Sequence, residues 1–312
     1  MLRYILKRVL YMIFTLWVVI TITFFLMHAM PGDPLASLAR KLPEQIRINY
    51  YAKYGLDKSV PQQYVRFLKN VFHGDFGESL TYPGRSVTGT IIKHAPISGR
   101  LGIQALIIGV AIGIILGIVA AFKRNKWPDH LVMFIAILGV CLPSFVLAAL
   151  LQYVFTVRFE LLPTAGWGGT KFTVLPTIAL CFGSIATYAR YMRSSVLDVI
   201  GQDYILTAQA KGVSTGSLIW KHIIRNAIIP AITILAPQIA GVFGGSFVIE
   251  SIFAIPGIGS ELVGSINNRD FSMIMGLTIF YCALYIVSLL VVDILYGVAD
   301  PRMRVSADAD NK

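Results

Sequence analysis

Hydrophobic residues along this chain cluster into six runs, each long enough for a membrane-spanning helix of about 20 apolar residues. Polar residues separate the runs. The fourth run contains Pro176 and Gly183, which membrane helices tolerate because neighbouring helices satisfy the freed backbone groups. The pattern predicts an all-α integral membrane protein with six transmembrane helices. Their predicted bounds are Val9–Ala29, Leu101–Phe122, Leu131–Val157, Phe172–Tyr191, Ala227–Ile249 and Met273–Ile294.

Positive charges between the runs predict the side of the membrane that each segment occupies. With six spans both termini share one side, and short cytoplasmic segments carry the excess of Lys and Arg. On the side of the termini these residues are Arg3, Lys7, Arg8, Lys123, Arg124, Lys126, Arg190, Arg193, Lys211, Lys221, Arg225, Arg302, Arg304 and Lys312. The short segments of the other side hold only Arg158, Lys171 and Arg269. We therefore expect both termini in the cytoplasm.

This topology divides the chain into four regions. The predicted regions are the N-terminus with the first span (1–29), an extracytoplasmic loop region (30–100), a core with five spans and a cytoplasmic loop at 192–226 (101–299), and a cytoplasmic tail (300–312). The first run has a basic head, is longer than the apolar part of a signal peptide and lacks a small-residue cleavage site. We therefore expect an uncleaved first span.

The composition agrees with an integral membrane protein. Of 312 residues, 56% are hydrophobic and 14% are charged, whereas soluble domains carry about 25% charged residues. The net charge of +11 belongs to the topological signal, since no basic patch interleaved with aromatic residues lies outside the runs. We therefore expect a lipid bilayer around the chain and no nucleic-acid partner. The three cysteines lie in apolar runs without a CxxC motif, as is typical of small core residues. They are Cys141, Cys181 and Cys282.

One segment of the external loop has the pattern of an amphipathic helix. In PQQYVRFLKNVFHGDFGESL the apolar residues recur at i, i+3, i+4, i+7 and i+8, which places them on one helical face. They are Tyr64, Phe67, Leu68, Val71 and Phe72. Such a face indicates either a helix that lies on the bilayer or caps the bundle, or a docking surface for an external partner.

The sequence carries no motif that would energise transport within the chain. A phosphate-binding G-x-x-x-x-G-K-[ST] loop is absent, and GWGGTK at Gly166–Lys171 lacks its spacing. The catalytic motifs HExxH and G-x-S-x-G are absent too. Ion-coupled carriers usually keep charged groups in mid-membrane. The centres of the six runs hold none, and Asp293 lies at the cytoplasmic end of the last run. We therefore expect no catalytic residue, metal or cofactor in this chain.

Small and polar residues within the runs indicate helix contacts or a pathway. Each polar residue fits an interhelical hydrogen bond, and together they fit the lining of a path for a polar, uncharged, backbone-like solute. The candidates for this lining are Gln104, Ser144, Gln152 and Gln238. Glycines four residues apart permit close helix contact, within this chain or with a second subunit. They are Gly109, Gly113 and Gly117 in the second run, and Gly241 and Gly245 in the fifth.

The cytoplasmic segment AQAKGVSTGSLIWKHIIRNAIIP (208–230) is amphipathic and basic, although it lies between two apolar runs. Asp203 can cap a short helix through YILTAQAK, because its carboxylate accepts free backbone N–H groups. Gly212 suits the position after that helix, where a positive φ is needed. A second helix follows with Leu218, Ile219 and Ile223 on one side. The pattern predicts a helix–turn–helix elbow, either an interfacial amphipathic helix or a docking element.

Longer motifs identify a family. They are ARYMRSSVLDVIGQDYILTAQAKGVS followed by HIIRNAIIPAIT in the cytoplasmic loop, PGDP at 31–34, GDFGES at 74–79, LLPTAGWGG at 161–169, and ESIFAIPGIGSELVGSINNRDF and VDILYGVADPRMR in the last third. Together they resemble the permeases of ATP-binding-cassette importers, and more narrowly the first permease subunit of the oligopeptide/dipeptide group. The resemblance covers nearly the whole chain.

In that family the cytoplasmic loop carries an E-A-A-x-x-x-G signature whose helix enters a cleft of the ATPase subunit. Here Leu206, Thr207 and Ala208 stand at the Glu-Ala-Ala positions with Gly212 in register, and no Pro follows at the usual distance. The resemblance implies an ATPase-coupling role for this part of the elbow. The residues it assigns to coupling are Asp203, Tyr204, Thr207, Ala208, Ala210, Lys211 and Gly212.

The resemblance also implies the type I importer transmembrane fold and a set of partners. These are a second homologous permease, two cytosolic ATP-binding subunits that carry ATP and Mg²⁺, and an extracytoplasmic solute-binding protein. The expected function is peptide import by a subunit that is not itself an enzyme. One alternative is import of nickel, glutathione or another small solute by the same type of permease. Another, of a different class, is a channel or a self-driven secondary carrier.

Overall fold

The computed structural model describes residues 2–29 and 43–299. The PGDP motif and the predicted tail at 300–312 lie outside these residues. The described helices are α1 (Leu2–Ala29), α2 (Glu44–Tyr54), α3 (Val60–Phe72), α4 (Val87–Phe122), α5 (Trp127–Cys141), α6 (Ser144–Gln152), α7 (Lys171–Ile200), α8 (Asp203–Ala210), α9 (Thr215–Ser217), α10 (Arg225–Thr233), α11 (Leu235–Ile252), α12 (Ile258–Asn267) and α13 (Phe271–Ala299). The π-helical segments Tyr153–Arg158 and Leu218–Ile224 follow α6 and α9. Over the described residues the regular structure is therefore all-helical, as predicted.

The described residues form two compact units. The first comprises the residues up to Ser98 together with Pro256–Val287, and the second comprises Gly99–Ile255 and the residues from Ser288 onward. The first unit thus contains α1, the helices of the predicted external region and α12. The second contains the bent pair α5–α6, helix α7 and the helix–turn–helix elbow.

Four helical segments are long and apolar enough to cross a membrane. They are Leu6–Ala29, Val87–Phe122, Lys171–Ile200 and Phe271–Val292. They correspond to the first, second, fourth and sixth predicted runs, so these four runs are confirmed as helices. Helix α7 continues to Ile200, beyond the end of its run at Tyr191, because a helical backbone does not need apolar side chains once it leaves the bilayer. The chain is a multi-pass membrane protein.

The third predicted run is broken. Helix α5 ends at Cys141 and α6 begins at Ser144, and the two are bent by 104°. Pro143 has no backbone N–H to bond the Gly139 carbonyl, and this missing bond favours an interruption of the helix here. The prediction of one continuous helix over Leu131–Val157 is therefore wrong, and the pair forms a broken span or a re-entrant loop.

The fifth predicted run is also divided. Helix α10 ends at Thr233 and α11 begins at Leu235. Pro237 has no N–H for the Thr233 carbonyl, and the next N–H, that of Gln238, bonds the Ile234 carbonyl at 3.3 Å. Because two of the six runs are interrupted, the count of six spans stays a prediction.

The predicted amphipathic face of α3 packs within the first unit. The Tyr64 hydroxyl lies 2.7 Å from Thr21 Oγ1 of α1, and the Phe67 ring stacks on Phe24 at 5.7 Å between centroids. This contact supports the interpretation that the helix caps other helices of its own chain. Phe72 departs from the pattern, since it is 77% exposed.

The GDFGES segment is held to the start of α13 by one buried carboxylate. Asp270 accepts hydrogen bonds from the Ser79 hydroxyl, from the Leu80 N–H at 3.1 Å and from the Met273 N–H at 3.3 Å. A carboxylate that accepts several hydrogen bonds compensates for its burial. This part of the first unit is therefore an ordered structure and not a simple linker.

Candidate functional site

The predicted turn of the elbow is confirmed at Gly212. Helix α8 ends at Ala210, and Gly212 has a φ of 74°. The Gly212 N–H donates to the Gln209 carbonyl at 2.9 Å, and the Val213 N–H donates to the Ala208 carbonyl at 3.2 Å. These two bonds form a Schellman motif, which favours glycine because that residue adopts a left-handed conformation.

The predicted cap at the other end of α8 is wrong. Gln202 is the residue before the helix and Asp203 is its first residue, and no side-chain hydrogen bond caps the helix. Asp203 therefore contributes through its negative charge in the first turn, where the N-terminus of a helix favours anions. Its exposed side chain remains accessible to a partner.

Helix α8 presents two different faces. Ile205 and Ala208 are buried in the core of the second unit, against Leu218 and Ile223 of the following helix. Exposed residues of α8 and its turn are Asp203, Tyr204, Leu206, Thr207, Gln209, Ala210, Lys211 and Gly212. Ala208 is therefore packed within the elbow, where its small size fits, and the other predicted coupling residues are exposed. Their coupling role stays a prediction.

The second arm of the elbow is one helical stretch with an irregular centre. Helices α9 and α10 are joined by the π-helical segment Leu218–Ile224. Leu218 and Ile223 are buried and Ile219 is half-buried, so the predicted apolar side is confirmed. On the other side, Trp220 is 70% exposed. Sequence reasoning did not select Trp220, although a tryptophan on the polar side of an amphipathic helix is a recognisable signal of a contact site.

Helix α7 joins the elbow to the interior of the second unit. Near its C-terminal end Arg193 makes two hydrogen bonds to Asp129 of α5, at 2.5 Å and 2.7 Å. Asp129 is 2% exposed and also accepts the Asn125 N–H at 2.9 Å. Ser195 donates to the Ala227 carbonyl of α10 at 2.8 Å. These bonds tie α5, α7 and α10 together next to the elbow.

A cavity of about 310 Å³ lies beside the bend between α5 and α6. Helices α5, α6, α7 and α11 contribute to its wall. Its polar side chains are Ser144, Ser184, Thr187 and Gln238. Two of the four predicted pathway residues, Ser144 and Gln238, are therefore brought together here. None of the described residues that line the cavity has a charged side chain.

Sequence reasoning missed the contribution of α7 to this cavity. Leu180, Gly183, Ser184 and Thr187 line it at positions i, i+3, i+4 and i+7 of one helix face. That spacing is visible in the sequence, but it does not say which face of a buried helix borders a cavity. Ser184 donates to Gln238 Oε1 at 2.8 Å, whereas the Thr187 hydroxyl donates to the Gly183 carbonyl of its own helix at 2.9 Å.

The other two predicted pathway residues lie elsewhere in the second unit. Gln104 donates to Thr173 Oγ1 at 3.4 Å. Gln152 donates from its Nε2 to the Thr164 carbonyl at 2.8 Å and to the Ile252 carbonyl at 3.4 Å. Both therefore act as interhelical or loop hydrogen-bond donors, and neither lines the cavity beside the bend.

The predicted close helix contact is present for one glycine series. An added Cβ at Gly109, Gly113 or Gly117 would lie 2.8 Å or less from an atom of α7. This series therefore packs α4 against α7. At Gly241 an added Cβ would meet nothing within 4 Å in this chain, although Gly241 lines the cavity. Gly245 lies within α11. Within the described residues, Gly241 therefore does not make the close helix contact that was predicted for Gly241 and Gly245.

The comparisons with known proteins agree with the membrane fold. Residues 113–305 match the family described as binding-protein-dependent transport system inner membrane component, and residues 1–90 match the N-terminal family of the same type of protein. The dipeptide transport system permease protein DppB of Bacillus subtilis is 44% identical over 305 residues, which cover 98% of this chain and 99% of that protein. The oligopeptide transport system permease protein OppB of Salmonella typhimurium is 41% identical over 306 residues, covering 97% and 100%.

Solved structures share the fold at lower identity. An amino acid ABC transporter crystallised with histidines matches with a TM-score of 0.52 and 18% identity, over 69% of this chain and 94% of that chain. The MetNI methionine ABC transporter in an inward-facing conformation matches with a TM-score of 0.55 and 14% identity, over 68% and 96%. These likenesses show a fold shared with ABC importer membrane subunits.

Proposed function

Because the chain belongs to the binding-protein-dependent transport system inner membrane component family, we propose that it is a membrane-spanning permease subunit of an ATP-driven peptide importer. In this proposal it forms part of the translocation pathway and is not itself an enzyme. Its partners are a second permease, two cytosolic ATP-binding subunits that carry ATP and Mg²⁺, and an extracytoplasmic solute-binding protein. Both termini and the elbow face the cytoplasm.

The exposed side chains of the elbow are the observation that supports a coupling role. Its buried face packs on the second unit, while Tyr204, Leu206 and Trp220 remain exposed beside polar residues. Exposed large apolar side chains rimmed by polar residues indicate a protein contact. In the proposed complex these side chains enter the ATP-binding subunit, whose closure on ATP displaces the elbow.

The displacement reaches the cavity along α7. Arg193 and Ser195 tie the lower part of α7 to α5 and α10, and the residues Leu180–Thr187 of the same helix line the cavity. A two-state gate of this kind needs different contacts in each state and no chemistry in the permease. The proposed mechanism therefore opens the pathway alternately to the two sides by moving α5 and α7 together with the elbow.

The lining of the cavity favours a peptide over a metal ion as substrate. Metal ions are bound by carboxylate, imidazole or thiolate groups, and none of the described lining residues carries one. Serine, threonine and glutamine side chains suit a solute with amide groups. The names of the dipeptide and oligopeptide permease relatives support the same class of substrate.

Copurification tests the proposed assembly. The full complex is solubilised with an affinity tag on this chain, and ATP-binding subunits are quantified in the eluate. We expect the unchanged chain to retain them and the double variant Leu206→Ser with Trp220→Ser to lose most of them, because exposed apolar contacts are removed. Val65→Ser, which changes a residue 65% exposed in the first unit, is the control. Equal retention by all three chains would contradict the docking role of the elbow.

A further inference from the structure

The cavity beside the α5–α6 bend contains a hydrogen-bond donor that has no partner among the described residues. Ser184 donates to Gln238 Oε1 at 2.8 Å, so the amide oxygen is occupied and the Nε2 group keeps two N–H donors. Within the described part of the chain this nitrogen makes no hydrogen bond. Because Gln238 lines the cavity, these donors are available to a molecule that enters it.

An acceptor borders the same cavity. Gly139 lines it, and its carbonyl lacks the usual helical partner because the residue four positions later is Pro143. This oxygen lies 3.8 Å from the position that a Cβ on Gly183 would occupy. Gly183 directly precedes Ser184 in α7. Ser144 adds a hydroxyl that makes no hydrogen bond within the described residues. Gly139, whose carbonyl lacks its helical partner, and Gln238 thus line the same cavity.

This arrangement matches the chemistry of one peptide unit. A peptide bond has one C=O that accepts and one N–H that donates, and burying either without a partner is costly. The volume of about 310 Å³ would hold roughly ten water molecules. We propose that the cavity is a contact site for the backbone of the transported peptide. Gln238 Nε2 donates to a substrate carbonyl, and the Gly139 carbonyl accepts a substrate N–H.

This inference rests on the proposed function as a peptide importer, and it adds that the cavity recognises the backbone amide groups of the peptide. Backbone amides are common to all peptides, whereas side chains differ. A neutral site that binds the backbone therefore accepts many sequences, and it does not hold a charged side chain tightly. Selection among side chains is left to contacts outside this cavity.

Gln238→Leu tests the donor, since leucine has a similar size and no N–H. The complete complex is reconstituted in vesicles, and ATP-driven uptake of tri-alanine is measured together with the ATPase rate. We expect uptake at sub-saturating peptide to fall about tenfold, as for the loss of one buried hydrogen bond, while the basal ATPase rate is retained. Gln45→Leu is the control for the substitution itself, because Gln45 is an exposed residue of α2 in the first unit, and it should transport as well as the unchanged chain.

The outcomes separate this inference from the function on which it rests. Equal uptake by the Gln238→Leu and Gln45→Leu complexes would overturn the backbone site and leave the importer function standing. If the unchanged complex takes up no tri-alanine with ATP, the proposed function fails and the inference fails with it.

Ser144→Cys provides a second test that does not depend on the folding of the Gln238 variant. N-bromoacetyl-tri-alanine should alkylate the new thiol in the complete complex, and the mass of the product identifies it. We expect an excess of tri-alanine to slow this labelling at least fivefold. Labelling no faster than in the chain with only its native cysteines, or unaffected by tri-alanine, would overturn the inference.

Discussion

Gly212→Val tests whether the left-handed turn of the elbow is required for coupling to the ATP-binding subunits. At Gly212 an added Cβ would meet nothing within 4 Å, so the substitution creates no clash. Its cost comes from the backbone alone, because φ is 74° and a β-branched residue is a genuine outlier there. Such strain costs about 1–3 kcal/mol. This cost lowers the population of the native turn about 5- to 150-fold relative to a relaxed turn.

The strain acts on docking more than on the stability of the whole chain. Relaxing it breaks the two hydrogen bonds of the Schellman motif and moves α8 relative to the helix after the turn. We therefore expect a chain that inserts into the membrane in normal amount but loses most peptide-stimulated ATPase activity and uptake. Both are measured on the same reconstituted vesicles. Gly212→Asn should retain more activity, because asparagine visits the left-handed region more readily.

Gly216→Val is the matched control. Gly216 lies four residues later in the same elbow and is also free of neighbours within 4 Å, but it has an ordinary helical φ. The same side chain is therefore added without the strain, and coupling should stay near that of the unchanged chain. If Gly212→Val and Gly216→Val had equal coupled ATPase activity and uptake, coupling would not depend on the left-handed turn at Gly212.

Three further predictions concern the spans. Gly113→Ala should lower the thermal unfolding midpoint of the detergent-solubilised complex, because its Cβ would lie 2.6 Å from a side-chain carbon of α7. Gly241→Ala is the control and should not lower it. Equal midpoints for the two variants would refute the close packing. Asp129→Ala should also lower the midpoint, by about 1–3 kcal/mol of stability, because it leaves the partly exposed Arg193 without its countercharge. An unchanged midpoint would contradict this. Single cysteines at the exposed Ser59 and Ser214 should be labelled from opposite faces of intact cells and inverted vesicles, and labelling from one face would overturn the topology.

Hydropathy predicted the helices but not where the backbone breaks. Four apolar runs are single helices long enough to span a bilayer, because run length alone sets that requirement. Pro143 and Pro176 both lie in apolar runs, yet only Pro143 accompanies a 104° bend. A proline removes one hydrogen bond in either place, and the surrounding packing decides whether the helix continues.

The sequence pattern predicts turn geometry better than it predicts which side chains the fold buries. The glycine at 212 was predictable because turn geometry demands a positive φ. In contrast, Ala208 faces the core and Trp220 faces outward, and local pattern does not distinguish the two faces of a short elbow. Glu250 lies one residue beyond the predicted end of the fifth run, yet it is 0% exposed within α11. A hydropathy window ends at a carboxylate whether or not the fold buries it.

ATP-driven peptide uptake by the complete complex shows directly whether this chain is part of an ATP-driven importer. The permease pair, both ATP-binding subunits and the solute-binding protein are reconstituted in vesicles, and accumulation of a labelled dipeptide is followed with ATP alone or with a proton gradient alone. We expect accumulation only with ATP, and its loss when Gly212→Val is present. Accumulation driven by the proton gradient without ATP would show that the chain is a self-driven carrier.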